Sequence, residues 1–269
     1  MNLPPIRTLP GAFGALERAK GVLVDWDGCI AFDNQLPEGN ADFVRQNAHR
    51  VAVVSNNSTD LPGDFAAILK RHDIIIPEER ILLAGFETLR ALSTSHAYQR
   101  IYLIAGERMT RAAEEMGAPL SRESADCVVL MRDPGFTYAK LSEAVRAIEN
   151  GAHLIVSNDD ASHPGRDMRV PETGALLAAL QTAADIAEDR IERVGKPSPN
   201  LFLRGAEMLG HALNECVMIG DNPHTDGKGA ASLDMPFIQV TPTTEMVLSN
   251  FVAAEKTPQQ RPAQNAAGR

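Results

Sequence analysis

The sequence predicts an α/β protein built on a parallel β-sheet. Short apolar runs alternate with longer segments that have helical character, which is typical of parallel sheets with helices on both faces. Polar clusters follow several of these runs, where the carboxyl ends of the strands would lie. The predicted strands are GVLV (21–24), VAVV (51–54), IYLI (101–104), CVVL (127–130), LIVS (154–157) and CVMIG (216–220). The predicted helices are 41–49, 62–72, 107–117, 138–150, 173–187 and 199–210.

Composition narrows the classes of function. The chain has 269 residues, enough for one large domain or two smaller ones. Its formal charge of −9 disfavours a general nucleic-acid surface, although a local cationic pocket can still bind an anionic substrate. Cys29, Cys127 and Cys216 show no C-x-x-C spacing, which favours a reducing, cytoplasmic location. We expect no membrane partner, because no apolar run is long enough, and we expect a disordered tail over 255–269.

Polar clusters mark the expected ligand site. Asp25-Trp26-Asp27-Gly28 follows the first predicted strand, and Ser55-Asn56-Asn57-Ser58-Thr59 follows the second. The segment GKPSP (195–199) precedes the last predicted helix, and GDNPHTD (220–226) begins at the end of the last predicted strand. In parallel sheets ligands bind beyond the carboxyl ends of the strands, so we expect these clusters to form one site.

The residue types in these clusters suit phosphate chemistry. Hard carboxylate oxygens are typical ligands of Mg²⁺, and a divalent cation would offset the repulsion between the neighbouring carboxylates. Lys196 and Ser55 could hold phosphate oxygens. An aspartate can attack phosphorus and form an aspartyl-phosphate, while a second carboxylate protonates the leaving oxygen and later activates water. The carboxylates available are Asp25, Asp27, Asp221 and Asp226.

Together the clusters resemble the motifs of the haloacid dehalogenase (HAD) superfamily of phosphohydrolases. DWDG, VVSNNS, GKPSP and GDNPHTD match its four motifs in order. FTYAKL (136–141), VSNDD (156–160) and VPETGALLAAL (170–180) look like cap sequences of its C2-capped, NagD-like branch. The resemblance implies a Rossmann-like parallel-sheet core of residues 1–83 and 184–269. An α/β C2-type cap, residues 84–183, would be inserted between them, with hinges near Gly85 and near the end of the predicted helix 173–187.

The resemblance also implies a role for each matching residue. Asp25 would be the nucleophile and a metal ligand, and Asp27 the general acid/base, with its backbone carbonyl on the metal. Ser55 and Asn56 would bind phosphate, and Lys196 would neutralise the charge on the nucleophile and the phosphate. Asp221 would bind the metal directly, whereas Asp226 is more often linked to it through water. Taken singly, DWDG is usually a turn, and SNNST is usually an Asx turn or a helix cap.

The loop 157–174 is the candidate specificity loop. Asn158 and Asp160 match an N-x-D pattern of the cap and would line the cleft. The pair His163-Pro164 looks like a pair in pyridoxal phosphatases of this branch, which implies a substrate similar to pyridoxal 5′-phosphate. A solvated loop is the alternative. Other members of the branch act on phosphoglycolate, glycerol phosphate or nucleotides.

The expected function is a Mg²⁺-dependent phosphomonoesterase for a small phosphorylated metabolite, working through an aspartyl-phosphate. The presence of Asp27 favours a phosphatase, because the dehalogenases of this superfamily lack that residue. Two alternatives stay open: a non-catalytic phosphometabolite-binding or regulatory module, and a phosphotransferase to another alcohol. Members of the branch often dimerise through the cap, so a homodimer is a further expectation.

Overall fold

The structure, a computed structural model, contains two parallel β-sheets and a short hairpin. It describes residues 5–95, 97–164, 168–241 and 247–252. The predicted disordered tail, 255–269, lies outside these residues. Among the helices described, none has the length and apolar character needed to cross a membrane.

The first sheet has five parallel strands in the order β11-β10-β1-β2-β3. Its strands are β1 (Gly21–Val24), β2 (Val51–Ser55), β3 (Ile81–Leu83), β10 (Cys216–Gly220) and β11 (Phe237–Gln239). The helices that accompany it along the chain are α1 (Leu9–Arg18), α2 (Glu38–Asn47), α3 (Pro62–Lys70), α8 (Asn200–Leu209) and α9 (Lys228–Ser232).

Both faces of this sheet are buried, which explains why its central strands are continuously apolar. Successive side chains of a strand point to opposite faces. Val22 and Val24 of β1 therefore join one core cluster, which includes residues of α1, α2 and α3. Leu23, between them, joins a second cluster with Leu201 and Phe202 of α8. Every residue of β1 is buried as a result.

The second sheet has four parallel strands in the order β4-β5-β6-β9. A separate antiparallel hairpin is formed by β7 and β8. These strands are β4 (Ile101–Ile104), β5 (Cys127–Leu130), β6 (His153–Val156), β7 (Ser162–Pro164), β8 (Arg169–Pro171) and β9 (Ile191–Arg193). The accompanying helices are α4 (Ala84–Ser95), α5 (Glu107–Glu115), α6 (Tyr138–Glu149) and α7 (Thr173–Ala183).

The predicted α/β fold with parallel sheets is confirmed, but the chain returns to the first sheet later than the sequence suggests. The sequence predicts a cap that ends at residue 183, with residues 184–269 in the core. In the structure β9 pairs with β6 of the second sheet. The second sheet thus includes the chain as far as Arg193. We therefore propose that the inserted unit spans residues 84–193.

Aromatic packing supports the loop that follows β1. Trp26 and Phe65 are both fully buried, and their rings stack with centroids 4.2 Å apart. We predict that Phe65→Ala lowers the free energy of unfolding by about 3–5 kcal/mol, the usual cost of emptying such a site. Urea unfolding would measure it, with Ile75→Ala as control because Ile75 is 80% exposed. Equal losses in the two variants would contradict the role assigned to this stack.

Candidate active site

A tight loop after β1 positions the first two aspartates. Within it the N–H of Gly28 donates to the carbonyl of Ala31, and the N–H of Ala31 donates to the carbonyl of Trp26, both at 2.9 Å. Gly28 has a φ of +81°, and a Cβ there would lie 2.5 Å from Oδ2 of Asp221. Glycine is therefore required both by the backbone conformation and by the close approach of the last acidic motif.

Buried side chains fix this loop from behind. Trp26 Nε1 donates to Asn34 Oδ1 at 2.9 Å. The amide of Asn40, a buried residue of α2, donates to the carbonyl oxygens of Cys29 and Ile30 at 2.9 and 3.1 Å. Because these loop carbonyls cannot pair within a strand, Asn40 supplies the hydrogen bonds they need. The aspartates thus stand on a rigid support.

Lys196 lies at the centre of the site and is only 2% exposed. Its Nζ is 2.6 Å from Asp25 Oδ1 and 2.7 Å from Asp226 Oδ1. It also donates to the carbonyl of Val54 at 2.8 Å. Burial alone would lower the pKa of Lys196, but the carboxylates of Asp226 and Asp25 outweigh it and hold that pKa well above its usual range. Lys196 is therefore a permanent cation.

One lysine does not neutralise the carboxylates around it. Oxygens of Asp25, Asp221 and Asp226 all lie within 4.8 Å of one another. Burial, followed by repulsion from Asp25, raises the pKa of Asp221 to about 6. Burial raises the pKa of Asp226 to about 7, against the opposing effect of Lys196.

These oxygens fit a hard divalent cation. Asp226 Oδ1 is fully buried, and although it lies close to Lys196 Nζ it has no hydrogen bond of normal geometry. Three hard oxygen donors with surplus negative charge match the ligand preference of such ions. The donor set fits the metal ligands expected at Asp25, Asp221 and Asp226. That assignment stays a prediction, as does the expected ligation by the backbone carbonyl of Asp27.

Asp27 differs from these carboxylates because it is exposed to solvent. The surrounding protein desolvates it in part, and this effect, followed by repulsion from Asp25, raises the pKa of Asp27 to about 7. A carboxyl group with this pKa holds and releases a proton near neutrality. Its exposure leaves it accessible to a substrate.

The segment after β2 forms the turns that the sequence left open as an alternative. The Oγ of Ser55 accepts a hydrogen bond from the N–H of Asn57 at 3.1 Å. Asn57 Oδ1 accepts from the N–H groups of Thr59 and Asp60 at 2.9 and 2.8 Å. Ser55 is 1% exposed and lies at the end of β2, beside β1. Its predicted phosphate-binding role stays a prediction.

Asn56 is engaged by the protein itself. Its Oδ1 accepts from the N–H of Lys196 at 2.7 Å, and its Nδ2 donates to the carbonyl of Lys196 at 2.9 Å. The same Nδ2 donates to Asp160 Oδ2 at 3.0 Å. A Cβ at Gly195 would lie 2.6 Å from Asn56 Oδ1, so this approach depends on the glycine. We therefore propose that Asn56 positions Lys196, in place of the phosphate contact that the motif suggested.

The predicted cap residues separate into two groups. Asn158 is 1% exposed, and its amide lies at 3.3 Å from Ser58 Oγ and 3.2 Å from Thr173 Oγ1. Buried and bonded in this way, it joins the two sheets, and we propose this role over the expected contact with substrate. Asp160 is half-buried beside Asn56, and burial raises its pKa. Asp160 therefore lies beside Asn56, and its expected role in lining the cleft stays a prediction.

His163 occupies β7, and its Nδ1 lies 2.6 Å from Glu172 Oε1. The quoted motifs contain Glu172 and Ser58 but indicate no role for either. In the structure Ser58 Oγ accepts from the N–H of Arg132 at 3.3 Å. Glu172 stands between VP and the predicted helical run. Helix N-termini favour acidic residues, and this place before a helix is the one feature of the sequence that marks Glu172. Nothing in the sequence indicates its pairing with His163.

Two further residues near the motifs, Cys29 and His224, have minor roles. Cys29 is 2% exposed, and burial, followed by the field of Asp25, raises the pKa of its thiol well above the usual value. Such a thiol is unreactive and serves packing. His224 lies exposed in the turn after β10, where its N–H donates to Asn222 Oδ1 at 2.9 Å.

Comparison with known proteins agrees with this geometry. A family model described as haloacid dehalogenase-like hydrolase matches residues 19–234. The 5′-nucleotidase YutF of Bacillus subtilis is 31% identical over 210 residues, which cover 77% of this chain and 81% of that protein. An acid sugar phosphatase of Staphylococcus epidermidis is 28% identical over 229 residues, which cover 84% of this chain and 87% of that protein.

Solved structures share the fold. A single mutant of the thermostable NPPase from Geobacillus stearothermophilus aligns with a TM-score of 0.74 and 28% identity, covering 90% of this chain and 94% of that chain. NagD from E. coli K-12 aligns with a TM-score of 0.74 and 20% identity, with the same coverage of 90% and 94%. The second likeness concerns the fold alone.

The chain therefore belongs to the haloacid dehalogenase-like hydrolases. Within that family it is an enzyme of the phosphatase class with a NagD-like fold, which confirms the resemblance carried by the four motifs.

The bonds of Asn56 lead to a test that separates its two roles. If Asn56 holds Lys196, Asn56→Ala should lower kcat about 10- to 100-fold and change KM little, because a misplaced catalytic group slows the chemical step. Steady-state kinetics and inhibition by inorganic phosphate would measure this. Asn150→Ala, an exposed change on the inserted unit, is the control. Unchanged kcat with a higher KM and weaker phosphate inhibition would restore the phosphate-binding role.

Proposed function

We propose that this enzyme is a Mg²⁺-dependent phosphomonoesterase that hydrolyses a small phosphorylated metabolite through an aspartyl-phosphate on Asp25. The main support is the ion pair from the buried ammonium of Lys196 to Asp25 and Asp226 beside a third carboxylate. Mg²⁺ held by Asp25, Asp221 and Asp226 would neutralise the charge of the phosphoryl group. Carboxylate ligands and a substrate phosphate are the usual partners of this ion.

The residues of the chain then divide the chemistry between them. Asp25 attacks phosphorus, and the bond from phosphorus to the leaving oxygen breaks. Asp27 gives its proton to that oxygen, which its raised pKa allows near neutral pH. In the second half, Asp27 takes a proton from water, the water attacks phosphorus, and inorganic phosphate leaves Asp25 free. Lys196 supplies fixed positive charge beside the nucleophile throughout.

The candidate substrates come from the relatives of the chain. The relatives named as a 5′-nucleotidase and an acid sugar phosphatase make nucleoside monophosphates and sugar phosphates the first candidates. Pyridoxal 5′-phosphate is a further candidate, because His163 lies on the hairpin where a flat ring could stack against the imidazole. A panel of these phosphomonoesters at fixed Mg²⁺ would rank them. Added alcohols as acceptors would reveal phosphotransfer.

The nucleophile and metal assignments can be tested together. Asp25→Asn should lower turnover of p-nitrophenyl phosphate by at least about 10³-fold, because an amide cannot form the phosphoenzyme. Treatment with EDTA should abolish activity, and Mg²⁺ should restore it. Asp185→Asn, an exposed change outside the site, is the control. Full activity of Asp25→Asn, or of enzyme shown to be free of metal, would contradict the proposal.

The role of Asp27 as general acid predicts a dependence on the leaving group. Glycerol phosphate releases a basic alkoxide that needs a proton, whereas p-nitrophenolate leaves with little help. Asp27→Asn should therefore lower kcat about 10²- to 10⁴-fold for glycerol phosphate and markedly less for p-nitrophenyl phosphate. Mg²⁺ affinity, measured by calorimetry, should persist. An equal loss for both substrates would argue against proton transfer by Asp27.

A further inference from the structure

A second polar cluster lies in the inserted unit, outside the catalytic set. Glu172, which precedes α7, has its Oε1 2.6 Å from Nδ1 of His163 and 3.6 Å from Nε of Arg132. Arg132 follows β5, and His163 belongs to β7. The Glu172 side chain is only 15% exposed, whereas those of Arg132 and His163 are 27% and 40% exposed. A largely buried carboxylate thus holds two more accessible side chains.

This cluster faces the catalytic site. Arg132 follows a strand of the second sheet at its carboxyl end, and its N–H donates to Ser58 Oγ in the loop after β2. Glu172 and Asp27 are close enough to repel each other electrostatically. Asp160, which Asn56 ties to Lys196, is also a charge neighbour of Glu172. A leaving group that receives its proton from Asp27 would therefore extend towards Arg132 and His163.

The guanidinium group of Arg132 keeps hydrogen-bond donors available for a ligand. Within the described part of the chain, its terminal nitrogens Nη1 and Nη2 take part in no hydrogen bond, and its ion pair with Glu172 uses Nε. A guanidinium group whose planar end is open recognises carboxylates and carbonyl oxygens through paired hydrogen bonds. Glu172 restricts where that end can point, which lowers the entropy lost on binding.

We propose that Arg132 is a specificity-determining residue that binds a carboxylate or carbonyl oxygen on the leaving group, and that Glu172 positions it. This inference rests on the proposed phosphomonoesterase function and adds a preference within it. Phosphomonoesters that carry such an oxygen next to the ester are favoured over simple polyol phosphates. The carbon skeleton beyond that oxygen would be recognised by the neighbouring hairpin of β7 and β8.

The test compares 2-phosphoglycolate, which carries a carboxylate, with glycerol 2-phosphate, which carries only hydroxyl groups. The measured quantity is the ratio of their kcat/KM values in wild type, Arg132→Gln, Glu172→Gln and the double variant. Glu149→Gln, an exposed change on α6, is the matched control. Arg132→Gln keeps the backbone bond to Ser58, and thermal melts check that each variant is folded.

We expect a wild-type ratio above one and a fall of about ten-fold in Arg132→Gln, through KM for 2-phosphoglycolate, since one charge-assisted contact is lost. Glu172→Gln should lower the ratio about three-fold or more in the wild-type background and have no effect in the Arg132→Gln background, since its action passes through Arg132. Glu149→Gln should leave the ratio unchanged.

Other outcomes overturn the inference at different levels. A ratio that Arg132→Gln does not lower removes the specificity role, even if hydrolysis itself is normal. If the ratio of kcat/KM values rises in Glu172→Gln, Glu172 only screens the charge of the guanidinium group. That result contradicts the proposal that Glu172 positions Arg132. Additive effects in the double variant contradict it as well. A wild-type enzyme that is inactive on every phosphomonoester would instead overturn the proposed function, and this inference with it.

Discussion

A single buried ammonium group connects the parts of this site. Lys196 contacts Asp25 at the end of β1, Val54 in β2 and Asp226 beyond β10, so three segments distant in sequence meet at one nitrogen. Removing one partner of a buried ion pair typically costs about 3–5 kcal/mol, because the other charge is left uncompensated. The ion pair thus stabilises the fold, but the loss of either partner destabilises it. Its excess of carboxylate over ammonium charge favours a bound cation.

The same lysine links the site to the second sheet. Asn56 holds the backbone of Lys196 on both its N–H and its carbonyl, and the same amide reaches Asp160 beyond β6. Ser58 adds a second junction, because its Oγ meets Asn158 and the backbone of Arg132. A movement of the inserted unit would therefore change the surroundings of the Lys196 ammonium group. This coupling gives the polar residues after β2 a mechanical role in addition to any contact with phosphate.

Apolar runs predicted the long buried strands, because a strand covered on both faces leaves a continuous apolar signal. That signal fails for β3 and β9, which have three residues each and lie directly against helical turns. Because β9 leaves no such signal, the boundary expected from the sequence falls at residue 183, whereas we propose residue 193 from the pairing of β9 with β6. The motifs indicated the carboxylates and Lys196 through their residue types, and the structure brings Lys196 together with Asp25 and Asp226. They could not foresee where the amides of Asn56 and Asn158 would point, since an amide serves backbone or ligand equally well. The pairing of Glu172 with His163 depends on the hairpin and is invisible locally.

The most direct test of the account is a crystal structure of the enzyme with Mg²⁺ and beryllium trifluoride, an analogue of a phosphoryl group. We expect the beryllium atom to bond to a carboxylate oxygen of Asp25, with Lys196 beside it and Mg²⁺ between Asp25, Asp221 and Asp226. A trifluoride bound elsewhere, or a metal ion held away from these three carboxylates, would contradict it.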